Sequence, residues 1–129
     1  MIAITCVTKD NGISFNNRRP SWDRKVMADI LRSFTGASIG IPYQAKHLFT
    51  SCGTFKYSPK YKEKYDICYT DQDTLKDDKP AGLVLYRWNR DYPTDKKLEL
   101  DLNNYRLIAI EDIQGYSHDI ICKEVYERM

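Results

Sequence analysis

The sequence of 129 residues predicts one α/β domain, residues 1–129, built on a mixed sheet. Three observations carry that prediction. The chain opens on a short β-branched apolar run, IAITCVT, and then changes to helical periodicity. Strand-like and helix-like segments continue to alternate through the middle of the chain. The last third holds only strand patterns, GLVLYRW, YRLIAIEDI and DIICKEVYER. Alternation followed by consecutive strands is the order of a parallel core with an antiparallel end, and the last two runs frame the turn residues Gln114-Gly115-Tyr116-Ser117 as a closing hairpin.

Each element has a local reason. The first run ends at Lys9-Asp10-Asn11-Gly12, where Asn and Gly tolerate positive φ, and Asn16-Asn17 offers a second sharp turn. After Pro20, the residues Trp22, Val26, Met27, Ile30, Leu31 and Phe34 fall on one stripe of an amphipathic helix, with Ser21 as N-cap and Gly36 as stop. Residues 38–41 read as a short strand, and Pro42 then opens a second helix, YQAKHLF. Residues 54–65, TFKYSPKYKEKY, alternate Lys with Tyr and predict an exposed loop into the strand YDICYT. The acidic, turn-rich DQDTLKDDKPAG predicts a connection with no core of its own.

Composition removes several function classes. Twenty basic residues against 18 acidic ones leave a formal charge of +2, which carries no strong nucleic-acid signal. No apolar run approaches the roughly 20 residues of a membrane span, and Met1 leads into IAITCV without a signal-peptide pattern, so no membrane partner and a cytoplasmic location are expected. Cys6, Cys52, Cys68 and Cys122 form no C-x-x-C pair and the histidines are His47 and His118 alone, so no metal site is expected. Cys6, Cys68 and Cys122 lie in strand patterns and read as reduced core thiols.

The opening stretch MIAITCVTKDNGISFNNRRPSW resembles the start of dihydrofolate reductases: a first strand, then N-G-I-G-x-N-x-x-L-P-W, then a helix with an acidic residue. LVLYRWNRDYPTDKKLEL resembles the family's strand L-Y-L-T-x-I-D-x-x-x-x-x-D-T-x-F-P, and DIICKEVYERM resembles its final strand, which ends F-x-x-x-E-R. The resemblance implies a dihydrofolate-reductase-like mixed sheet with helices on both faces. It also implies a lid over the ligand, with Asn11, Gly12, Ser14, Asn16 and Asn17 as its punctuation.

The family holds its pterin with one carboxylate in an apolar pocket. Two residues compete for that role. Asp29, in A-D-I-L-R-S-F, matches the family string A-D-L-x-x-F with one extra residue, whereas Asp23 follows Trp22 and, at about 100° per residue, projects near the middle of the stripe made by Val26, Met27, Ile30 and Phe34. Neither is assigned as catalytic. The implied pocket draws on Trp22, Asp23, Met27 and Asp29, with Ile30, Phe34 and Tyr86.

Departures from the family pattern shape the functional expectation. Ser14 replaces a Gly, Arg19 a Leu, and Ser21 is inserted before Trp22; Tyr86 stands where a Thr supports the pterin carboxylate. The family's G-R-x-T phosphate turn corresponds here to I-G-I-P-Y-Q-A-K, and its G-G-x-x-I-Y turn has no counterpart between YDICYT and GLVLYRW. One strand-helix unit is therefore expected to be missing, and no cofactor is expected. Lys60, Lys62 and Lys64 interleave with Tyr57, Tyr61 and Tyr65, a composition suited to an anionic ligand with a stacking ring.

The first functional expectation is a small-molecule binder, for a nucleotide or pterin, without turnover. Such a protein suits a phage or mobile element that sequesters a host nucleotide. The alternative is a minimal NADPH-dependent dihydrofolate reductase. A third reading is a structural or protein-interaction scaffold, with exposed strand edges favouring a homo-oligomer.

Overall fold

The structure, a computed structural model, describes residues 1–49 and 52–129. Among these residues the strands are β1 (Ile2–Val7), β2 (Gly12–Ser14), β3 (Ile39–Ile41), β4 (Phe55–Tyr57), β5 (Ile67–Tyr69), β6 (Gly82–Trp88), β7 (Lys96–Lys97), β8 (Tyr105–Gln114) and β9 (Ile120–Arg128). The helices are α1 (Arg24–Ser33) and the single turn α2 (Tyr61–Lys64), with 3-10 helices at Tyr43–Leu48 and Leu102–Asn104. Seven strands form one sheet in the order β4-β3-β5-β1-β6-β9-β8. Pairing is parallel from β4 to β6, and antiparallel between β6 and β9 and between β9 and β8. The expected closing hairpin is present.

β1 sits mid-sheet with parallel neighbours on both sides, which explains its unbroken apolar run: Ala3, Ile4 and Val7 are fully buried. One face of the sheet carries α1 and the 3-10 helix Tyr43–Leu48, whose Val26, Ile30 and Ala45 pack with Ile4, Val84 and Tyr86. On the other face α2 lies against β3 and β5, and Ala3, Val7, Leu83 and Leu85 pack under Ile13, Leu75 and Leu98. Helical turns thus cover both faces, but the second face is closed mainly by connecting chain.

Four expectations need correction. Asp23, not Ser21, caps α1: it has extended backbone (φ −142°, ψ 131°) and its carboxylate accepts the Lys25 amide at 2.9 Å. It therefore lies outside the helix, and its projection onto the apolar stripe fails. The segment after Pro42 winds as a 3-10 helix, not an α-helix. Residues 54–65 are not a plain loop, because Phe55 anchors β4 in the core and α2 follows. DQDTLKDDKPAG does contribute to a core: Leu75 is fully buried, although it holds φ 58°. Burying a leucine is worth roughly 1.5–3 kcal/mol, enough to offset the roughly 1–2 kcal/mol of a left-handed backbone.

Residues 70–81 carry the chain from β5 to β6 without a helix. At the far edge, β8 has a register shift between Leu107 and Ala109 and leaves Leu107, Ile108 and Ile110 exposed. No helix among the described residues is long and apolar enough to cross a membrane.

Candidate functional site

The opening loop is a cross-linked hairpin. Asn16 and Asn17 sit at φ 51° and 60° between Phe15 and Arg18, whose backbones exchange hydrogen bonds of 2.9 and 3.0 Å. Two successive positive-φ residues are what a tight two-residue turn requires. Behind the tip, β2 pairs with β7, the Asn16 amide donates to Asp95 Oδ2 at 3.0 Å, and the Asp95 amide donates to the Ser14 carbonyl at 3.0 Å. Asn11 takes φ 67° at the entry turn. Gly12 is needed for close approach: a Cβ there would collide with the side chain of Thr94 and with Thr8 Oγ1. Asn11, Asn16 and Asn17 thus form turns while Gly12 and Ser14 lie in β2, and together they build a pinned strand pair.

The two candidate carboxylates are far apart in role, and both are buried. Asp29 emerges from α1 toward the sheet. Its Oδ2 accepts the Tyr86 hydroxyl at 2.7 Å and the Lys123 ammonium at 2.8 Å, while Arg32 bonds Oδ1. Lys123 also donates to Ser33 Oγ at 2.6 Å. Burial alone would raise the Asp29 carboxyl, but the bonds from Lys123, Tyr86 and Arg32 outweigh it and hold the group below its usual range. Burial, reinforced by the ionised Asp29, pushes the Tyr86 phenol far up, so it stays a donor. The string match to Asp29 therefore finds an inward carboxylate whose donors are the protein's own.

Asp23 is the other pinned acid. Besides Lys25, it accepts the amides of Tyr116 and Ser117 at 3.0 and 2.8 Å, and His118 Nδ1 lies 2.8 Å from its Oδ2. Burial raises this carboxyl as well, yet the bond to His118 and those from the amides of Tyr116, Lys25 and Ser117 bring it well below the ordinary range. Asp23 ties the start of α1 to the β8–β9 turn.

The other wall residues form an aromatic and aliphatic floor. Trp22 meets Phe49 and Tyr69 edge-on at 5.4 and 5.8 Å, and Phe49 stacks on Phe55 at 3.9 Å. Ile30 is fully buried, and Met27 and Phe34 pack against the same cluster. Of the three lysines, Lys62 is spent inside the chain on Asp73 and Asp78, whereas Lys60 and Lys64 are exposed.

The place expected for a glycine-rich phosphate turn, after β5, reads Thr70-Asp71-Gln72. Asp71 is buried and paired with Arg19, which also donates to the Gln44 carbonyl at 2.9 Å, and Gln44 Nε2 returns a bond to the Asp71 carbonyl at 3.0 Å. Arg19, which stands where the family has Leu, thus reaches across and plugs the strand ends with an ion pair.

An open shelf remains at the carboxyl ends of β3 and β4. Pro42, Tyr43 and Gln44 face Tyr57, Ser58, Pro59 and Tyr61 across a cleft of about 280 Å³. Tyr43 is 71% exposed and Tyr57 40%; their rings meet edge-on at 5.7 Å, and Lys46 Nζ lies 5.5 Å from the Tyr57 ring. A larger opening of about 460 Å³, between the 76–79 segment and the C-terminus, mixes Lys76, Lys79 and Arg128 with Asp78, Glu99 and Asp101 around Leu100, Tyr105 and Met129.

A dihydrofolate reductase from Enterococcus faecalis, complexed with NADP(H) and RAB-propyl, superposes on this architecture with a TM-score of 0.67 over 99% of this chain and 96% of that one. The chain has the dihydrofolate-reductase fold. Sequence identity to that enzyme is 14%, so the likeness is one of architecture. No protein-family model and no curated protein matches the sequence.

Within that fold, the sequence pointed to Asp29, Tyr86 and Trp22 but not to Phe49, Phe55, Tyr69, Lys123, Arg19–Asp71 or His118. Lys123 was legible. Its register partners on β9, Ile121 and Val125, pack into the core, so a lysine between them points inward and needs an acid.

Proposed function

We propose that this protein binds a nucleotide, or a similar anionic ligand with a planar ring, and does not turn it over. The observation that carries the reading is the exposed Tyr43–Tyr57 pair beside Lys46. In open parallel sheets ligands bind outside the carboxyl ends of the strands, and that is where this shelf lies. A base stacks on a tyrosine face, an interaction worth about 1–3 kcal/mol per base, while Lys46, Lys56 and Lys60 supply positive charge for phosphate.

Turnover of a pterin is disfavoured by Asp29. A carboxylate already holding an ammonium, a phenol and a guanidinium has three of its roughly four acceptor positions filled, too few left for both a pterin's amino and ring nitrogens. NADPH is disfavoured by the Arg19–Asp71 plug and by the absence of glycine in residues 70–72. Binding without chemistry fits a sequestering role, such as a phage-type protein capturing a host nucleotide.

Calorimetric titration with mono-, di- and cyclic nucleotides, NADPH and dihydrofolate tests the proposal. Saturable nucleotide binding that weakens at least tenfold in Tyr43→Ala or Tyr57→Ala supports it. Silence from every nucleotide, or dihydrofolate-dependent loss of nicotinamide absorbance, overturns it.

A further inference from the structure

Ser21, His118 and Asp23 form a relay that the nucleotide reading does not use. Ser21 Oγ lies 2.8 Å from His118 Nε2, and His118 Nδ1 lies 2.8 Å from Asp23 Oδ2. Asp23 accepts from three backbone amides, so Nδ1 is the nitrogen that donates to it, and in the neutral imidazole the Nε2 lone pair then faces the serine hydroxyl. The acid is fully enclosed and fixed by three backbone amides, and the imidazole is stacked on Trp88 at 4.7 Å. Both partners of the serine are therefore rigidly oriented, while Ser21 itself stays partly exposed. Ser21 is also the residue inserted between Pro20 and Trp22 relative to the dihydrofolate reductase pattern.

A nucleophilic serine also needs donors for the oxyanion. Among the described residues, the amides of Ser21 and Trp22 make no hydrogen bond within the protein. The amide of the nucleophile itself and that of the next residue are both used for this purpose in hydrolases of unrelated folds. The Tyr92 hydroxyl lies 3.2 Å from His118 Nε2 and shares that nitrogen with the serine.

We propose that Ser21 is the nucleophile of a Ser–His–Asp relay that hydrolyses carboxylic esters of small acyl groups. Ser21 Oγ bonds to the acyl carbon as its proton passes to His118 Nε2. The bond from that carbon to the leaving oxygen then breaks, and Nε2 returns the proton to the departing alkoxide. Water, deprotonated by the same nitrogen, attacks the acyl-serine; the ester oxygen leaves as Ser21 Oγ, takes the proton back, and the carboxylic acid departs. Nothing is oxidised or reduced. Asp23 is a positioning residue that holds the imidazole tautomer.

The test treats the full-length protein with a fluorophosphonate and with p-nitrophenyl acetate, reading intact mass, peptide mapping and nitrophenol release. One adduct per chain on Ser21 is expected, absent in Ser21→Ala. Labelling and ester turnover are expected to fall about 100-fold or more in His118→Gln. Thermal melting of Ser21→Ala should match the parent, which separates lost chemistry from lost folding, and Ser21→Cys should still be labelled by a thiol-reactive ester. No adduct on the parent, an adduct that persists in Ser21→Ala, or a rate unchanged in His118→Gln overturns the proposal. None of these outcomes depends on nucleotide binding at Tyr43 and Tyr57.

Discussion

Replacing Lys123 by Met removes the ammonium from Asp29 while keeping the shape of the side chain. Lys123 and Asp29 are 9% and 5% exposed at the side chain, so water does not fill the place of the lost charge. Breaking one side of a buried ion pair generally costs 3–5 kcal/mol, because the remaining charge is left uncompensated. Here Asp29 keeps the Tyr86 hydroxyl and Arg32, which places the cost at the lower end, about 3 kcal/mol. Ser33 Oγ loses its donor as well, on the same side of the balance. Urea unfolding at neutral pH of the parent, Lys123→Met, Asp29→Asn and the double variant gives the coupling directly. A coupling of about 2 kcal/mol is expected for two residues in direct contact in one network. A coupling below about 0.5 kcal/mol, or a Lys123→Met protein as stable as the parent, refutes the claim that Asp29 is held internally.

Three further predictions follow from the same geometry. Asp23 and Asp29 titrate below their ordinary range when folded, so their contribution to stability is complete above about pH 4 and is lost as the pH falls through the lower folded values; urea midpoints that stay flat from about pH 5 down to pH 2 contradict this. The amides of Phe15, Arg18 and Asp95 should resist hydrogen exchange, and Asp95→Ala should speed exchange at Asn16, whereas a lid that opens freely leaves all of them unprotected. The exposed Leu107, Ile108 and Ile110 on edge strand β8 should drive concentration-dependent self-association, measured by sedimentation and reduced in Ile110→Glu; a parent that stays monomeric at high concentration argues against it.

The strands and α1 were legible because their patterns are local. GLVLYRW is one seven-residue strand as read, and Val26, Met27, Ile30 and Leu31 form the core side of α1, with Trp22 and Phe34 flanking it in the same cluster. β4 was hidden because only Phe55 of its three residues is buried, leaving Lys56 and Tyr57 to look like loop. Leu75 was hidden because an isolated apolar residue among acids gives no periodicity, though it fills a gap beside Leu83 and Leu85. At the site, string similarity found Asp29, but apart from the local Arg32 and Lys25 the partners of the two acids come from sequence separations of 57 to 95 residues and leave no local trace. Arg19–Asp71 belongs to the same class, joining positions 52 residues apart. Inward polar residues such as Lys123 and His118 were the readable signal. Lys123 sits where the strand pattern calls for an apolar side chain and His118 is buried in the β8–β9 turn, and a buried polar group demands a partner.

In the proposed reading a dihydrofolate-reductase fold has turned Asp29 inward and would offer a nucleotide the Tyr43–Tyr57 shelf at the strand ends. Amide and side-chain chemical-shift mapping, with nucleotide and with dihydrofolate added separately, tests it most directly. Nucleotide should move Tyr43, Lys46, Tyr57 and Ser58 and leave Asp29, Tyr86 and Lys123 in place, with dihydrofolate moving neither group. Saturable shifts at Asp29 and Tyr86 on adding dihydrofolate would show that the carboxylate still serves a pterin, and the account would be wrong.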